Sequence, residues 1–324
     1  MDIIKPKKLK AGDTVGIVSP SGFIAPELKP QFDSGVKFLE NLGLRVKVGK
    51  NVFKRYYYSA GTVEERVADI HEMFADPEVK AVIQSQGGET ANELLDSLDW
   101  NLIKRTPKIF GGMSDGTALL LPIFSKTGII TLHGPDLLWG YGDGTNDYET
   151  ESLKQSLFVG KAFEVLPDSK HEVSQESSNS SKAWKCWREG ISEGRLLGGN
   201  LSIIQTLQGT GFEPPFKDTI LFLEGYCHNV ENLARRFTAL RQTGVFKKIK
   251  GVVLGYFFGN TLPDPLSNRP VGEVMLEASA GYDFPILEIG EIGHNIPNCN
   301  LPVGALSRLD TGKLDFSIME DFFV

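Results

Sequence analysis

Lys108–Leu121 reads KIFGGMSDGTALLL. A short apolar run enters Gly111-Gly112. Met113, Ser114, Asp115 and Gly116 follow, and then the helix formers Ala118 to Leu121. The pattern predicts strand, very tight turn, helix, with Ser114 at the turn. A serine so placed stands clear of a sheet edge, near the positive end of the next helix. This is the geometry of a nucleophile elbow: the strained turn exposes Oγ, and the following backbone N–H faces a developing oxyanion. Serine also favours helix starts for structural reasons alone. Taken by itself, G-x-S-D-G therefore admits a cap or a nucleophile.

The chain around this stretch repeats its alternation. Thr14–Ser19, TVGIVS, is a buried-type strand stopped by Pro20, Ser21 and Gly22, and Pro26 opens a helix to about Leu42. Leu44–Val48 alternates as a short strand. Thr62 and Glu65 make a capping box before the amphipathic run Val63, Val67, Ile70 and Phe74, which Asp76-Pro77 ends. Lys80–Ser85 is a strand entering Gly87-Gly88, Thr90–Leu98 is a helical stretch, and Ile129–His133 is a further strand. Strands alternating with helices imply an α/β layer with a mostly parallel sheet. Sites in such sheets lie at the carboxyl ends of the strands. Three loops converge there: after Ser19, at Gln86-Gly87-Gly88, and around Ser114. The glycine pair either brings a backbone N–H close to a ligand, as an oxyanion hole needs, or only allows a bend in packing.

Beyond Asp143 the pattern loosens. Glu149–Phe158 is expected as a short helix. The segment HEVSQESSNSSKAWKCWREG (171–190) is polar and serine-rich. It is expected as a long interdomain loop, a kind usually functional or disordered. Trp184 and Trp187 make it either a lid over something flat or a loop pinned to the body. Gly194–Gly199 and Asn200–Leu207 read as strand, glycine turn and helix. Thr219–Glu224, TILFLE, is an apolar strand with a carboxylate at its carboxyl end. Asn229–Gln242 is a helix, Gly251–Phe257 a strand, Pro270–Ala280 a helix and Pro285–Ile289 a strand. GHNIPNCNLPVG (293–304) is too rich in Gly, Pro and Asn for regular structure, and Gly304–Asp310 with Lys313–Met319 forms a closing hairpin. The expected fold class is α/β. An N-terminal, mostly parallel-sheet domain (1–165) is followed by a linker and active-site loop (166–192). A C-terminal domain with mixed strands (193–324) completes it, with the site in the cleft between the domains.

Bulk properties narrow the function. A chain of 324 residues, 41% of them hydrophobic, buries a large core without disulfides or structural metal. Its net charge of −7 argues against a nucleic-acid polymer as partner. Cys186, Cys227 and Cys299 form no C-x-x-C pair, so neither a disulfide framework nor a zinc site is expected. The opening MDIIKPKKLKAGD lacks the apolar core of a secretory signal, and no apolar run approaches the roughly 18 residues of a membrane span. The expected location is cytoplasmic.

Five histidines compete for a catalytic role: His71, His133, His171, His228 and His294. His71 lies in a patterned helix and His171 in the polar loop. His133 and His228 follow strand ends, and His294 sits in the Gly/Pro/Asn loop. Ser114, a strand-end Glu224 and a loop histidine meet the requirements of a Ser–His–Glu triad. There the imidazole takes the serine proton and the carboxylate fixes its tautomer.

The motifs KPKKLKAGDTVGIVSPSG, IQSQGG, GMSDGTALL, TLHGP, GRLLGGNL, ILFLE, GVVLGYF and GHNIPNCNLPVG run nearly end to end. In their order and spacing the chain resembles the LD-carboxypeptidase family of serine peptidases, which includes the microcin C self-immunity proteins. The resemblance implies Ser114, Glu224 and His294 as triad, with Asp115, Gly87 and Gly88 as oxyanion-hole positions. It also implies a cytoplasmic homodimer without cofactor; no metal is expected, since no histidine pair has ligand spacing. Three departures bear on substrate choice: Met113 replaces the usual Tyr, Gln86 the Arg of peptidoglycan-recycling members, and Gly225 an acidic residue. The tryptophan-bearing segment resembles that of the microcin C immunity branch. Trp187 or Trp184 is thus a candidate to stack on a nucleobase, and Asn200 is a further candidate for substrate binding. The expected function is cleavage of the amide bond of a toxic aminoacyl-nucleotide or peptide conjugate. One alternative is removal of the terminal D-Ala of a muropeptide tetrapeptide in peptidoglycan recycling. Another, of a different class, is a non-catalytic small-ligand binding protein.

Overall fold

The computed structural model describes residues 2–168, 183–226, 229–259 and 261–324. Cys227, His171, His228 and most of the serine-rich segment lie outside these. The strands, in chain order, are β1 (Thr14–Val18), β2 (Arg45–Val48), β3 (Val79–Gln84), β4 (Ile109–Gly112), β5 (Thr131–His133), β6 (Phe163–Glu164), β7 (Lys185–Arg188), β8 (Ile191–Asn200), β9 (Thr219–Tyr226), β10 (Gly251–Phe258), β11 (Ile286–Gly293), β12 (Leu301–Val303), β13 (Leu306–Asp310) and β14 (Asp315–Ile318). The helices are α1 (Lys29–Asn41), α2 (Val63–Ala75), α3 (Trp100–Arg105), α4 (Thr117–Thr127), α5 (Asp147–Lys154), α6 (Leu201–Leu207), α7 (Val230–Gln242) and α8 (Val271–Ala278).

Two sheets result. The first runs β12-β5-β4-β3-β1-β2 and the second β6-β14-β13-β8-β9-β10-β11-β7. In the first, every pairing is parallel except β12 with β5. In the second, the central β8-β9-β10-β11 block is parallel and its flanks are antiparallel. The fold is thus α/β with one mostly parallel and one mixed sheet, as the alternation predicts. Strands covered on both faces read as continuous apolar runs: every residue of TVGIV in β1 is buried, as is all of TILFLEG in β9. The predicted capping box forms at α2, where Thr62 accepts from Glu65 N and Glu65 reaches back to Thr62 N.

Four local expectations are corrected. Gly198 and Gly199 do not form a turn; they lie inside β8, which passes directly into α6. A β-carbon on Gly199 would sit 2.5 Å from Thr117 Oγ1, so glycine there is a close approach between β8 and the start of α4. Residues 185–188, expected within the loop, form β7 against β11. The Gly/Pro/Asn loop contains β12, whose Leu301 lies opposite His133 on the edge of the first sheet. The Thr90–Leu98 stretch has only a 3-10 turn at Ala91–Leu94. Strands also cross between the two halves: β12, late in the chain, completes the first sheet, and β6 joins the second. One continuous buried apolar cluster runs through both. No helix among the described residues is long and apolar enough to cross a membrane.

Candidate active site

Ser114 follows β4 at the head of a single 3-10 turn, Ser114–Gly116, which leads into α4. Its φ is +56°, a left-handed value that costs a residue with a β-carbon on the order of 1 kcal/mol or more. The turn is held from beneath by Gln84, at the end of β3, whose amide donates to Met113 O at 2.7 Å. A β-carbon on either Gly112 or Gly116 would collide with the Gln84 side chain. The glycines two before and two after the serine thus make room for one buried wedge.

Asp115 is buried, and its carboxylate accepts from Ser21 Oγ at 2.5 Å and from Ala91 N at 2.8 Å. The elbow is thereby tied to the loop after β1 and to the turn after β3. Arg66, a buried side chain of α2, secures the same loops from behind. It donates to Pro20 O at 2.9 Å, to Thr90 Oγ1 at 2.9 Å, and to Glu93 at 2.6 Å. Gly87 packs directly on the serine: a β-carbon there would lie 3.0 Å from Ser114 Oγ and 3.7 Å from Asp115 N. Gly88 has φ +151° and no space for a side chain against Ser21 and Gly22.

Glu224 is fully buried near the end of β9, opposite Asn200 of β8. Its Oε2 lies 2.8 Å from His294 Nδ1, just beyond β11. Burial pushes the Glu224 carboxyl up, but the His294 charge and hydrogen bond pull it further down, and it ends below the usual glutamate value. Burial likewise pulls His294 down, but Glu224, with a smaller contribution from Asp136, outweighs it and the imidazole ends above the ordinary histidine value. The pair therefore favours its charged form. Asn200 is buried as the N-cap of α6: its Oδ1 accepts from Ser202 N, and its own N–H donates to Thr117 Oγ1 at 3.0 Å. This bond joins the strand beside Glu224 to the helix that begins three residues after Ser114. Ser114 Oγ and His294 are not hydrogen bonded to each other. Catalytic hydrogen bonds often close only when substrate is bound.

Both tryptophans are held against the body, one of the two placements that the sequence left open. Trp187 lies in β7, with its N–H on Glu288 at 2.6 Å, Lys185 over its ring at 3.7 Å, and α8 so close that Gly272 has no room for a β-carbon. Trp184 donates to Glu291 at 2.7 Å. Two buried glutamates of β11 thus pin both indoles to the body. The rim of the site instead carries Trp139, 53% exposed, whose N–H donates to Gln86 Oε1 at 3.1 Å next to the glycine pair. From the second sheet comes Tyr226, 45% exposed, its ring 5.0 Å from that of His294.

Two further residues went unread in the sequence. Trp139 is one. The other is buried Asp136, which accepts from Trp139 N at 2.8 Å and which burial pushes up to about 6. Both follow the β5 strand end, on the carboxyl edge where the site was expected, and that position was the available signal. His71 accepts from Asp99 N at the start of α3. Among the described residues, no group of three His, Cys, Asp or Glu side chains is placed to hold a metal.

The models of the LD-carboxypeptidase N-terminal and C-terminal domains match residues 15–134 and 193–309. The probable murein peptide carboxypeptidase of Bacillus subtilis is 34% identical over 95% of this chain and 92% of its own length. The microcin C7 self-immunity protein MccF of Escherichia coli is 31% identical over 97% and 95%. A solved structure of MccF in complex with aspartyl sulfamoyl adenosine superposes with a TM-score of 0.91 at 30% identity, covering 99% of this chain and all of that one.

Proposed function

This chain belongs to the LD-carboxypeptidase family, and from that premise we propose that Ser114, His294 and Glu224 are its catalytic triad. The protein is a serine-type peptidase. Ser114 Oγ attacks an amide carbonyl while His294 Nε2 takes its proton, and Glu224 holds Nδ1–H and the imidazolium charge. The N–H of Asp115 and one N–H of the Gly87-Gly88 pair receive the oxyanion. His294 then protonates the leaving amine, and water releases the acyl group by the same steps. The observation that carries this reading is the buried Glu224–His294 pair at 2.8 Å, linked through Asn200 and Thr117 to a serine held at positive φ.

We take the substrate to be the amide bond of an aminoacyl-nucleotide or similar peptide conjugate. MccF has been solved with glutamyl sulfamoyl guanosine and with aspartyl sulfamoyl adenosine. The exposed indole of Trp139 at the rim suits a flat heteroaromatic group. Trp139 joins Trp187 and Trp184 as a candidate for that stacking role. The second reading is removal of the terminal D-Ala of a muropeptide tetrapeptide, which the similarity to a murein peptide carboxypeptidase favours. We also assign the enzyme to the cytoplasm, as a homodimer, on the family resemblance.

The test is a side-by-side turnover assay on an aminoacyl sulfamoyl-adenylate and a muropeptide tetrapeptide. Ser114→Ala should abolish both activities; full retention would remove the triad assignment. Base stacking contributes about 1–3 kcal/mol, so Trp139→Ala should lower kcat/KM on the nucleotide substrate by about 5–150-fold and on the tetrapeptide far less. Equal losses on both would argue against stacking.

A further inference from the structure

Behind the proposed triad lies a second histidine, His133, the last residue of β5. It is fully buried, edge-on to Phe222 of β9 at 5.0 Å between ring centroids. Neither ring nitrogen has a hydrogen-bond partner among the described residues. Two residues along β9 from Phe222 is Glu224, also fully buried; its Oε2 holds His294, and its Oε1 has no well-aligned hydrogen bond, although the Asn200 side chain lies close to the carboxylate.

Unpaired buried polar atoms are costly and rare, and here two side chains on facing strands of the two sheets, His133 and Glu224, carry them. Their capacities are complementary. A neutral imidazole offers one N–H and one acceptor nitrogen, and a carboxylate oxygen only accepts. We propose that His133 is a positioning residue of the active site: its ring N–H donates to Glu224 Oε1 across one buried water. The chain His133–water–Glu224–His294 then holds both oxygens of the carboxylate and fixes the His294 tautomer. Burial holds His133 down at about 4, so it stays neutral throughout the working range and serves as a donor rather than a charge.

The inference rests on the triad assignment, and it carries a signature that core packing alone would not. The charged groups around His133 are Glu224 and His294, and those around His294 are Glu224 and Asp136. With the His133 donor removed, the Glu224 charge is less satisfied and draws more strongly on the His294 proton. The imidazole then stays protonated, and useless as a base, to higher pH. An upward shift of about one unit lowers the neutral fraction below the limb about tenfold.

The experiment measures the rate at which a fluorophosphonate labels Ser114 in the full chain, as a function of pH. It needs no knowledge of the natural substrate. In His133→Phe the acid limb should move up by about one unit, with about tenfold slower labelling below it. His133→Gln, which keeps a donor, should return the limb toward its native position. An unchanged limb in His133→Phe would overturn the proposal. Equal losses in His133→Phe and His133→Gln, accompanied by a lowered melting temperature, would show a packing role only and overturn it too. Failure of the unaltered protein to be labelled at Ser114 would instead remove the triad on which the inference stands.

Discussion

Asp136 shows how much one buried charge can cost. Its carboxyl is pushed up to about 6 by burial, against an ordinary 3.8, and only backbone N–H groups and the His294 charge pull the other way. The sign follows from linkage. An acid whose pKa is raised on folding binds its proton more tightly in the folded state, so its cost is absent below about pH 4 and complete above about pH 6. Asn is as good a helix cap as Asp and keeps the bond to Trp139 N. Asp136→Asn should therefore stabilise the fold by about 1–3 kcal/mol at pH 8 and by almost nothing at pH 4. Urea unfolding at the two pH values checks this, and an equal effect at both would contradict it. His294, the proposed base, works in the opposite sense: its raised pKa moves the appearance of the neutral imidazole to higher pH than in an ordinary histidine.

At the scale of elements, the site depends on how closely β8 lies on α4. Gly199 is the contact, since a β-carbon there would press on Thr117 Oγ1 at 2.5 Å, Thr117 Cγ2 at 2.8 Å and Thr117 Cβ at 3.2 Å. Its φ of +136° adds strain for any other residue. Gly199→Ala should cost about 1–3 kcal/mol of stability. It should also lower kcat more than KM, because the displaced β8 carries the cap at Asn200 and lies beside Glu224. A normal kcat in a destabilised Gly199→Ala protein would separate packing from the site. The sequence made part of this legible. Ser114 could be read because its requirements are local: an apolar strand, glycines on both sides, and helix formers. Glu224 was readable as a carboxylate ending an apolar run. The β8 glycines were not readable, because a close approach and a turn demand the same residue. Nor were the tryptophan positions, because the carboxylate that holds Trp184 lies 107 residues along the chain. The β12 strand hid among Gly, Pro and Asn because its pairing partner lies in the first half.

Across the whole molecule the two sheets are bound into one body. β12 and β6 cross between the halves, and the apolar cluster is continuous. Unfolding should accordingly be a single transition. The chain offers its own probes: Trp100 and Trp139 report on the first half, and Trp184 and Trp187 on the second. Variants that keep only one pair, the other changed to Phe, should give the same urea midpoint. Midpoints that differ beyond the effect of the substitutions themselves would mean that the halves unfold separately.

The late position of β12 has a consequence for synthesis. Until the ribosome has made residues 301–303, β5 has no partner on its outer side, and the edge of the first sheet is bare. Exposed strand edges invite pairing with other chains, so a nascent or prematurely terminated chain carries a mark that the finished one lacks. The same late stretch brings His294, only a few residues before the covering strand. The turn at Ser114 is made early, but its proposed base arrives together with the strand that closes the sheet. On the proposed triad, peptidase activity therefore waits for the same stretch of chain that covers the edge of the first sheet.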